Sequence, residues 1–219
     1  MAKQHVRATA FEPQVLVRRG DDVAIRVGER TLMSSDVHDS EDELGRIVAA
    51  AVAHVAKPRI LIGGLGLGFT LRATLDGLSL AARLDVAELV PEVVRWNRAE
   101  HGEYAGRPLD DRRVKLQIKD VALVIACAKS RYDAISLDVD NGPRAISHPG
   151  NSKLYTRTGL TRIRRALRPG GVLAVWSSFP SRAFTKAIEV VGNVELVRTT
   201  PSAPGGPRYY IWLATKRTR

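Results

Sequence analysis

The chain has 219 residues, of which 44% are hydrophobic, and carries a formal net charge of +11 at pH 7. This length suits one ordinary domain with a full core and, at most, a small extension. No stretch approaches the roughly 20 apolar residues that cross a bilayer, and the N-terminal segment lacks the apolar core of a signal peptide. We therefore expect a globular protein of the cytoplasm with no membrane contact.

The positive charge raises the question of a polyanionic partner. Lys and Arg number 34 against 23 Asp and Glu, and such an excess attracts nucleic acid at long range. The basic residues are scattered, with local clusters only at 162–168 and 216–219. Because the first cluster alternates with apolar residues at helical spacing, it favours a solvated helix face. Nucleic acid is therefore considered as a partner but not favoured.

Neither cysteine nor histidine indicates a reactive or metal-binding site. Cys127 is the only cysteine, and its apolar neighbours predict a residue that fills the core. The five histidines are dispersed without the spacing of metal ligands. We predict no metal site.

The N-terminal part of the chain is predicted to form a small β extension. Its three short strands are 14–17, 23–27 and 30–33, with Gly28-Glu29 as a hairpin turn between the last two. A sheet of this size is not stable alone and must pack on the rest of the chain. We assign residues 1–38 to this extension and residues 39–219 to a second, larger domain.

Five carboxylates lie within the eight residues from Asp36 to Glu43. Ser40 with Glu43 fits a capping box, and acids in a first turn complement the helix dipole. The pattern predicts a helix that begins here and ends before Pro58. A helix start by itself would account for the acids, so a role in binding is left open.

From Arg59 onward, apolar strands alternate with amphipathic segments, which predicts an α/β fold with a parallel sheet. The expected strands are 59–62, 82–88, 114–118, 132–138, 172–176, 194–197 and 209–214. The approach to the last strand is rich in proline and glycine and too short for a crossover helix. The last two strands should therefore form an antiparallel pair.

A glycine-rich turn follows the first of these strands and leads into a helix. It contains Gly63, Gly64, Gly66 and Gly68. Glycine allows the backbone to approach a ligand closely, and N–H groups at a helix start favour an anionic or electron-rich group. A tight turn without a ligand has the same pattern, so its meaning depends on the residues that follow.

Acidic residues follow the next three strands, at Glu88, Asp120 and Asp138. Ligands of open α/β sheets bind outside the carboxyl ends of the strands, so these acids should converge with the glycine turn. Glu88 is placed to accept both ribose hydroxyls, and Asp120 the exocyclic amine of adenine. A nicotinamide dinucleotide uses a similar turn and acid, but the antiparallel ending suits enzymes that use S-adenosylmethionine.

The chain resembles the spermidine synthase family of aminopropyltransferases over most of its length. The segments that carry the resemblance are the β extension, 62–68, 87–94, 132–143, 154–156 and 167–171, in the family's order and spacing. The resemblance implies a class I S-adenosylmethionine methyltransferase-like Rossmann sheet behind an N-terminal β-hairpin domain. It also implies a homodimer.

The resemblance further implies roles for individual residues. Glu88 would bind ribose, Asp120 would bind adenine, and Asp138, assisted by Asp140, would accept a proton from the attacking amine. The cofactor-binding set is Gly63, Gly64, Gly66, Gly68, Glu88, Leu89, Asp120 and Val121. The candidate amine contacts are Asp39, Glu41, Asp42 and Tyr155.

The departures from the family pattern fall in the amine half of the site. Gly66 stands where family members carry an Asp that holds the amino group of decarboxylated S-adenosylmethionine. Glu41-Asp42-Glu43 replaces a Tyr next to a His or Gln, and the loop 138–143 is one residue shorter. The nucleoside half of the site is therefore the better supported half.

Three functions remain open. The leading hypothesis is an aminopropyltransferase-like enzyme that uses decarboxylated S-adenosylmethionine or S-adenosylmethionine as co-substrate and a small amine as acceptor. The second is an S-adenosylmethionine-dependent methyltransferase, which Gly66 favours because the amine-binding acid is missing. The third is a non-catalytic nucleoside-binding protein whose positive charge contacts nucleic acid.

Overall fold

The computed structural model describes residues 13–139, 142–144, 149–199 and 206–218. The strands are β1 (Gln14–Arg19), β2 (Asp22–Val27), β3 (Arg30–Ser34), β4 (Arg59–Gly63), β5 (Arg83–Glu88), β6 (Val114–Ile118), β7 (Tyr132–Leu137), β8 (Leu167–Ser177), β9 (Asn193–Arg198) and β10 (Tyr210–Thr215). The α-helices are α1 (Asp39–Ala51), α2 (Phe69–Asp76), α3 (Pro91–Arg98), α4 (Val121–Ala126), α5 (Arg157–Ala166) and α6 (Arg182–Ile188). Short 3-10 helices lie at Glu100–Ala105, Pro108–Asp110, Gly142–Arg144 and Pro149–Tyr155.

The larger sheet has seven strands in the order β6-β5-β4-β7-β8-β10-β9. The strands from β6 to β8 are parallel, and β10 is antiparallel to both β8 and β9. The predicted α/β fold with an antiparallel C-terminal pair is therefore confirmed. The strand order reverses between β4 and β7, and a ligand site is expected at such a point.

Each face of this sheet is covered by helices. One core packs α1, α2 and α3 against one face, with Leu44, Leu71 and Val94 among its buried side chains. The other core packs α4, α5 and α6 against the opposite face, around Ile125 and Ile163. The strands are apolar on both sides because both sides are buried, as is usual for parallel sheets.

The N-terminal strands form a separate antiparallel sheet in the order β1-β2-β3. Val27 pairs with Arg30, which confirms the predicted hairpin turn, and Gly28 has a φ of 55° there. Val23 and Ile25 pack against Leu67 and the residues around it, so this sheet covers the start of α2. The division of the chain at residue 38 stays a prediction.

Some local predictions were wrong. The capping box does not form, because α1 already begins at Asp39 and the Ser40 hydroxyl donates to the Glu41 carboxylate, 2.5 Å away. Cys127 is exposed and not a core residue, because α4 ends one residue before it. Strand β8 begins at Leu167, since pairing with Tyr132 starts before the glycines that were expected to precede the strand.

In the described part of the chain, no helix has the length and apolar character needed to cross a membrane.

Candidate active site

A cavity of about 480 Å³ lies at the carboxyl ends of β4, β5 and β7, next to the N-terminal sheet. The side chains on its wall come mainly from the ends of these strands, from α1 and from β2 and β3. They include five carboxylates, Glu41, Glu88, Glu92, Asp120 and Asp138, and one described cation, Lys119. The cavity is thus acidic in a chain whose net charge is +11. Such a wall attracts cationic ligands.

The glycine turn brings the backbone of β4 close to that of β7. Gly64 has a φ of +89°, and a Cβ on it would overlap the carbonyl oxygen of Asp138. Gly64 and Gly66 line the cavity, whereas Gly63 and Gly68 are absent from its wall. Gly63 packs against Val121, where an added Cβ would lie 2.8 Å from Cγ2. The turn therefore permits close approach at two of its four glycines and tight packing at the other two.

Several N–H groups of the turn are already donated within the protein. The amide of Gly64 donates to the Ala87 carbonyl, and that of Leu65 to the Glu88 carboxylate at 2.8 Å. The amide of Leu67 donates to the sulfur of Met33 at 2.9 Å. At these positions the turn offers no donor to an anion. Close approach, rather than phosphate binding, is what this part of the turn provides.

Glu88 connects the glycine turn to the end of β5. Its two carboxylate oxygens accept from the amides of Leu65 and Val90, each at 2.8 Å. The side chain is only 7% exposed, and burial raises the pKa of Glu88 although the amide donors oppose this shift. These bonds fix the carboxylate in one orientation against the cavity.

Asp120 caps a helix and also lines the cavity. It is the N-cap of α4, where its carboxylate accepts from the amide of Ala122 at 2.7 Å, and it lines the cavity. Leu89 and Val121 lie beside the two acids on the same wall. The helix-cap and ligand-binding interpretations of Asp120 are therefore compatible.

Asp138 and Glu41 form the other end of the wall. Asp138 follows β7 directly and accepts from the hydroxyl of Thr70 at 3.1 Å, and burial raises the pKa of Asp138 to about 6. Glu41 lies in the first turn of α1 and is 8% exposed. Burial, and then the negative charge of Asp138, raise the pKa of Glu41 to about 7. The sequence placed both residues among the candidates but did not predict that they share one cavity wall and interact electrostatically.

Three further candidates, all of them described residues, are not on the cavity wall. Asp42 pairs with the ring of His38 at 3.0 Å, and Asp39 is absent from the wall. Tyr155 is buried in the core with its ring edge-on to Phe184, at 5.5 Å between centroids. Asp140 lies outside the described residues. No group of three or more His, Cys, Asp or Glu side chains that could hold a metal occurs within those residues.

Sequence reasoning missed the contribution of the N-terminal sheet. Ile25, Val27, Leu32 and Met33 line the cavity, and the Met33 side chain fills the space beside Gly66. A Cβ on Gly66 would lie 2.9 Å from the methyl carbon of Met33 and closer still to its sulfur. The alternation of apolar residues in β2 indicated one buried face, but nothing in the sequence indicated which partner that face covers.

Comparison with known proteins gives several sequence relatives that are polyamine aminopropyltransferases, and two of them illustrate the range. The chain is 34% identical over 130 residues to polyamine aminopropyltransferase 2 of Pseudomonas aeruginosa, covering 58% of the chain and 35% of that relative. It is 27% identical over 175 residues to a polyamine aminopropyltransferase of Saccharolobus islandicus, covering 78% of the chain and 56% of the relative. The chain thus spans about a third to a half of the lengths of these relatives. No protein-family model matches it.

Among solved structures, spermidine synthase from Thermotoga maritima superposes with a TM-score of 0.74. The superposition covers 90% of the chain and 66% of the solved protein, at 18% sequence identity. At that identity the similarity is one of fold, including the sheet whose strand ends form the cavity.

Proposed function

We propose that this chain, a divergent relative of the spermidine synthase family of aminopropyltransferases, is a transferase that moves an aminopropyl group from an S-adenosyl sulfonium donor to an amine. One observation carries the proposal. Two acids suited to a nucleoside, Glu88 and Asp120, share a cavity with Asp138 and Glu41, two acids whose pKa values are raised by burial. A sulfonium donor and an ammonium acceptor are both cations, and this acidic cavity suits both. Such a transfer is a step of polyamine biosynthesis.

The donor occupies the strand ends next to the glycine turn. Glu88 binds the ribose hydroxyls, and Asp120, with Leu89 and Val121 beside it, binds adenine. The sulfonium lies against the backbone of Gly64 and Gly66, the two glycines of the turn that line the cavity. Because transfer converts the sulfonium into a neutral thioether, the acidic wall holds the donor more strongly than the spent product.

The acceptor amine lies at Asp138. An alkylammonium has no free electron pair, so a proton must first pass to the Asp138 carboxylate. The nitrogen pair then forms the new bond to carbon while the carbon–sulfur pair stays on sulfur. A carboxyl whose pKa is raised toward the operating pH is suited to take up this proton and release it again.

Replacement of Asp138 by Asn tests the proposal. We expect D138N to reduce kcat by about a hundredfold or more, the usual contribution of a general base, and to leave nucleoside affinity within twofold. Steady-state kinetics and titration with 5′-methylthioadenosine measure the two effects. The matched control is D110N, an exposed acid away from the cavity. Turnover that survives D138N would show that Asp138 is not the base.

Methyl transfer from S-adenosylmethionine is a second candidate, and one observation favours it. The place beside Gly66 is filled by the thioether of Met33, so no acid holds the amino group of a decarboxylated donor there. Calorimetric titration with both donors separates the candidates. Tighter binding of the carboxylated donor would count against aminopropyl transfer.

We propose a homodimer of the cytoplasm, in line with the sequence resemblance. Sedimentation equilibrium at micromolar concentration measures the mass of the particle, and a mass near 24.0 kDa, that of one chain, would contradict the dimer.

A further inference from the structure

We propose that Glu41 and Asp138 act as one acid pair, which keeps a single proton in the free protein and releases it when an ammonium group binds between the two carboxylates. This inference rests on the proposed function, since it concerns the acceptor half of the same cavity. It assigns to Glu41 a defined part in amine binding. It also defines the acceptor as a protonated amine that exchanges for the proton of the pair.

The two carboxylates reach one cavity from different elements. Asp138 follows β7, and Glu41 lies in the first turn of α1, which packs against β7 and β8. Both side chains are on the cavity wall. The approach is non-local, since 97 positions separate them along the chain. It is the packing of α1, and not a helix cap, that brings Glu41 there.

Each carboxylate has one described hydroxyl partner and no described cation. Ser40 donates to Glu41 and Thr70 donates to Asp138. Neither acid takes part in an ion pair among the described residues. Ionisation of both acids in a buried pair without a cation has a high free-energy cost, because burial and repulsion disfavour the second charge.

The other titratable groups near the pair leave its charge uncompensated. On α1, His38 pairs with Asp42 at 3.0 Å, and its charge lowers the pKa of Glu41 less than burial and Asp138 raise it. The phenol of Tyr209, which precedes β10, has its pKa raised by burial and by the charge of Glu41. Lys119 lies at the far side of the wall, beside Asp120, and is exposed.

The state of the pair at neutral pH follows from these surroundings. Burial raises the pKa of Asp138 to about 6, and burial together with the charge of Asp138 raises that of Glu41 to about 7, so near pH 6.5 the pair holds about one proton. An ammonium between the carboxylates supplies the missing positive charge. Both acids then ionise, and the proton leaves to solvent.

The charges balance through the reaction. Two carboxylates neutralise the ammonium and the sulfonium before transfer. When the amine gives its proton to Asp138, Glu41 stays ionised. The carbon–sulfur bond breaks to leave a neutral thioether, and the new alkylammonium faces one charged carboxylate. The pair therefore holds the acceptor before the reaction and holds the product less strongly after it.

Calorimetry in two buffers of different ionisation enthalpy measures the proton directly. The probe is 1,4-diaminobutane, titrated at pH 6.5 into protein saturated with 5′-methylthioadenosine. We expect the wild-type protein to release about one proton per amine bound. We expect E41Q to release less than half as much and to bind at least tenfold more weakly. E41D should recover part of the release.

The matched control is E43Q, which changes the same residue type in the same helix turn. Glu43 pairs with Arg46 at 3.5 Å and is not on the cavity wall, so its release should equal that of wild type. Circular dichroism confirms folding of each variant. Equal proton release by E41Q and wild type, or an absence of amine binding to wild type, would overturn the inference.

The inference and the proposed function fail in different ways. Proton release without alkyl transfer from either donor would leave the acid pair in place and refute the transferase. Alkyl transfer without proton release on amine binding would refute the acid pair alone.

Discussion

Gly64 is the residue on which the geometry of the cavity depends most directly. Its φ of +89° is a conformation that other residues rarely adopt, and its Cα faces the carbonyl oxygen of Asp138. The same residue therefore sets the distance between the glycine turn and the proposed base. A side chain there would act on stability and on the site together.

Replacement of Gly64 by Ala should lower the free energy of unfolding by about 3 kcal/mol or more, because backbone strain and a steric overlap add. Urea denaturation measures the change. The control is G20A, since Gly20 has a φ of +62° but nothing within 4 Å of an added Cβ. That variant carries the strain alone and should lose about 1–2 kcal/mol. Equal losses in the two variants would show that the contact with Asp138 does not matter.

Three consecutive acids at the start of α1 have different surroundings, although they are similar in chemistry. Glu41, Asp42 and Glu43 are consecutive in sequence, yet only Glu41 is on the cavity wall. Their neighbours differ because successive helical residues point about 100° apart. Sequence spacing identified the acidic segment but did not decide which member faces the ligand.

At the scale of elements, the contact between α1 and α2 positions both members of the acid pair. Thr70 of α2 donates to Asp138, and Glu41 lies on α1. Gly45 allows the helices to touch, since a Cβ on it would lie 2.5 Å from the Cβ of Ala73 and 2.7 Å from the Thr70 carbonyl oxygen. This close packing connects a glycine in a helix to the geometry of the site.

Replacement of Gly45 by Ala distinguishes packing from helix propensity. In an exposed helix the change would stabilise by up to about 1 kcal/mol. Here the overlap with α2 should dominate and cost about 1–3 kcal/mol, while kcat/KM for the proposed alkyl transfer to the amine should fall because Glu41 moves away from Asp138. The double variant G45A/A73G should recover part of both losses. A stabilised G45A protein would show that the helices can separate without effect.

The N-terminal sheet is a second element that acts on the site from outside the main fold. It packs on the start of α2 and places Met33 against the glycine turn. Members of the family that the sequence resembles carry an Asp where this chain has Gly66, and the thioether of Met33 lies beside that glycine. We therefore expect the preference between the two proposed donors to depend on a sheet that is distant in sequence from the glycine turn.

At the scale of the whole molecule, the buried acids of the cavity make stability depend on pH, although the chain as a whole carries a net charge of +11. The raised pKa values of Asp138, Glu41 and Glu88 mean that the folded protein keeps protons that the unfolded chain loses near pH 4. Between about pH 4 and the folded values near 6 and 7, the native state binds more protons than the unfolded state. Stability must therefore fall as pH rises through this window.

Replacement of Glu41 by Gln should reduce the fall in the free energy of unfolding that occurs as the pH rises. At pH 8 we expect the variant to be more stable than wild type by on the order of 2 kcal/mol, because an uncharged amide replaces a buried carboxylate. At pH 5, where Glu41 is protonated in the folded protein and the window has only begun, the difference should be less than half as large. Urea denaturation at the two pH values measures it, with E43Q as control. An equal difference at both values would show that Glu41 does not titrate in this window.

The amino-acid sequence alone determined the succession of strands and helices along the chain and the antiparallel ending of the sheet. It also determined that Glu88, Asp120 and Asp138 converge on the glycine turn. These features follow from local hydrophobic period and from a general rule of parallel sheets, and both are readable from one chain. The tertiary structure alone decided that Glu41 meets Asp138, that Met33 fills the space beside Gly66 and that Cys127 is exposed. Those three depend on the rotation of a helix, the docking of a sheet and the last residue of a short helix. The first two are set by contacts between distant segments, which no local pattern records, and the third by a helix boundary that hydrophobic neighbours alone do not fix.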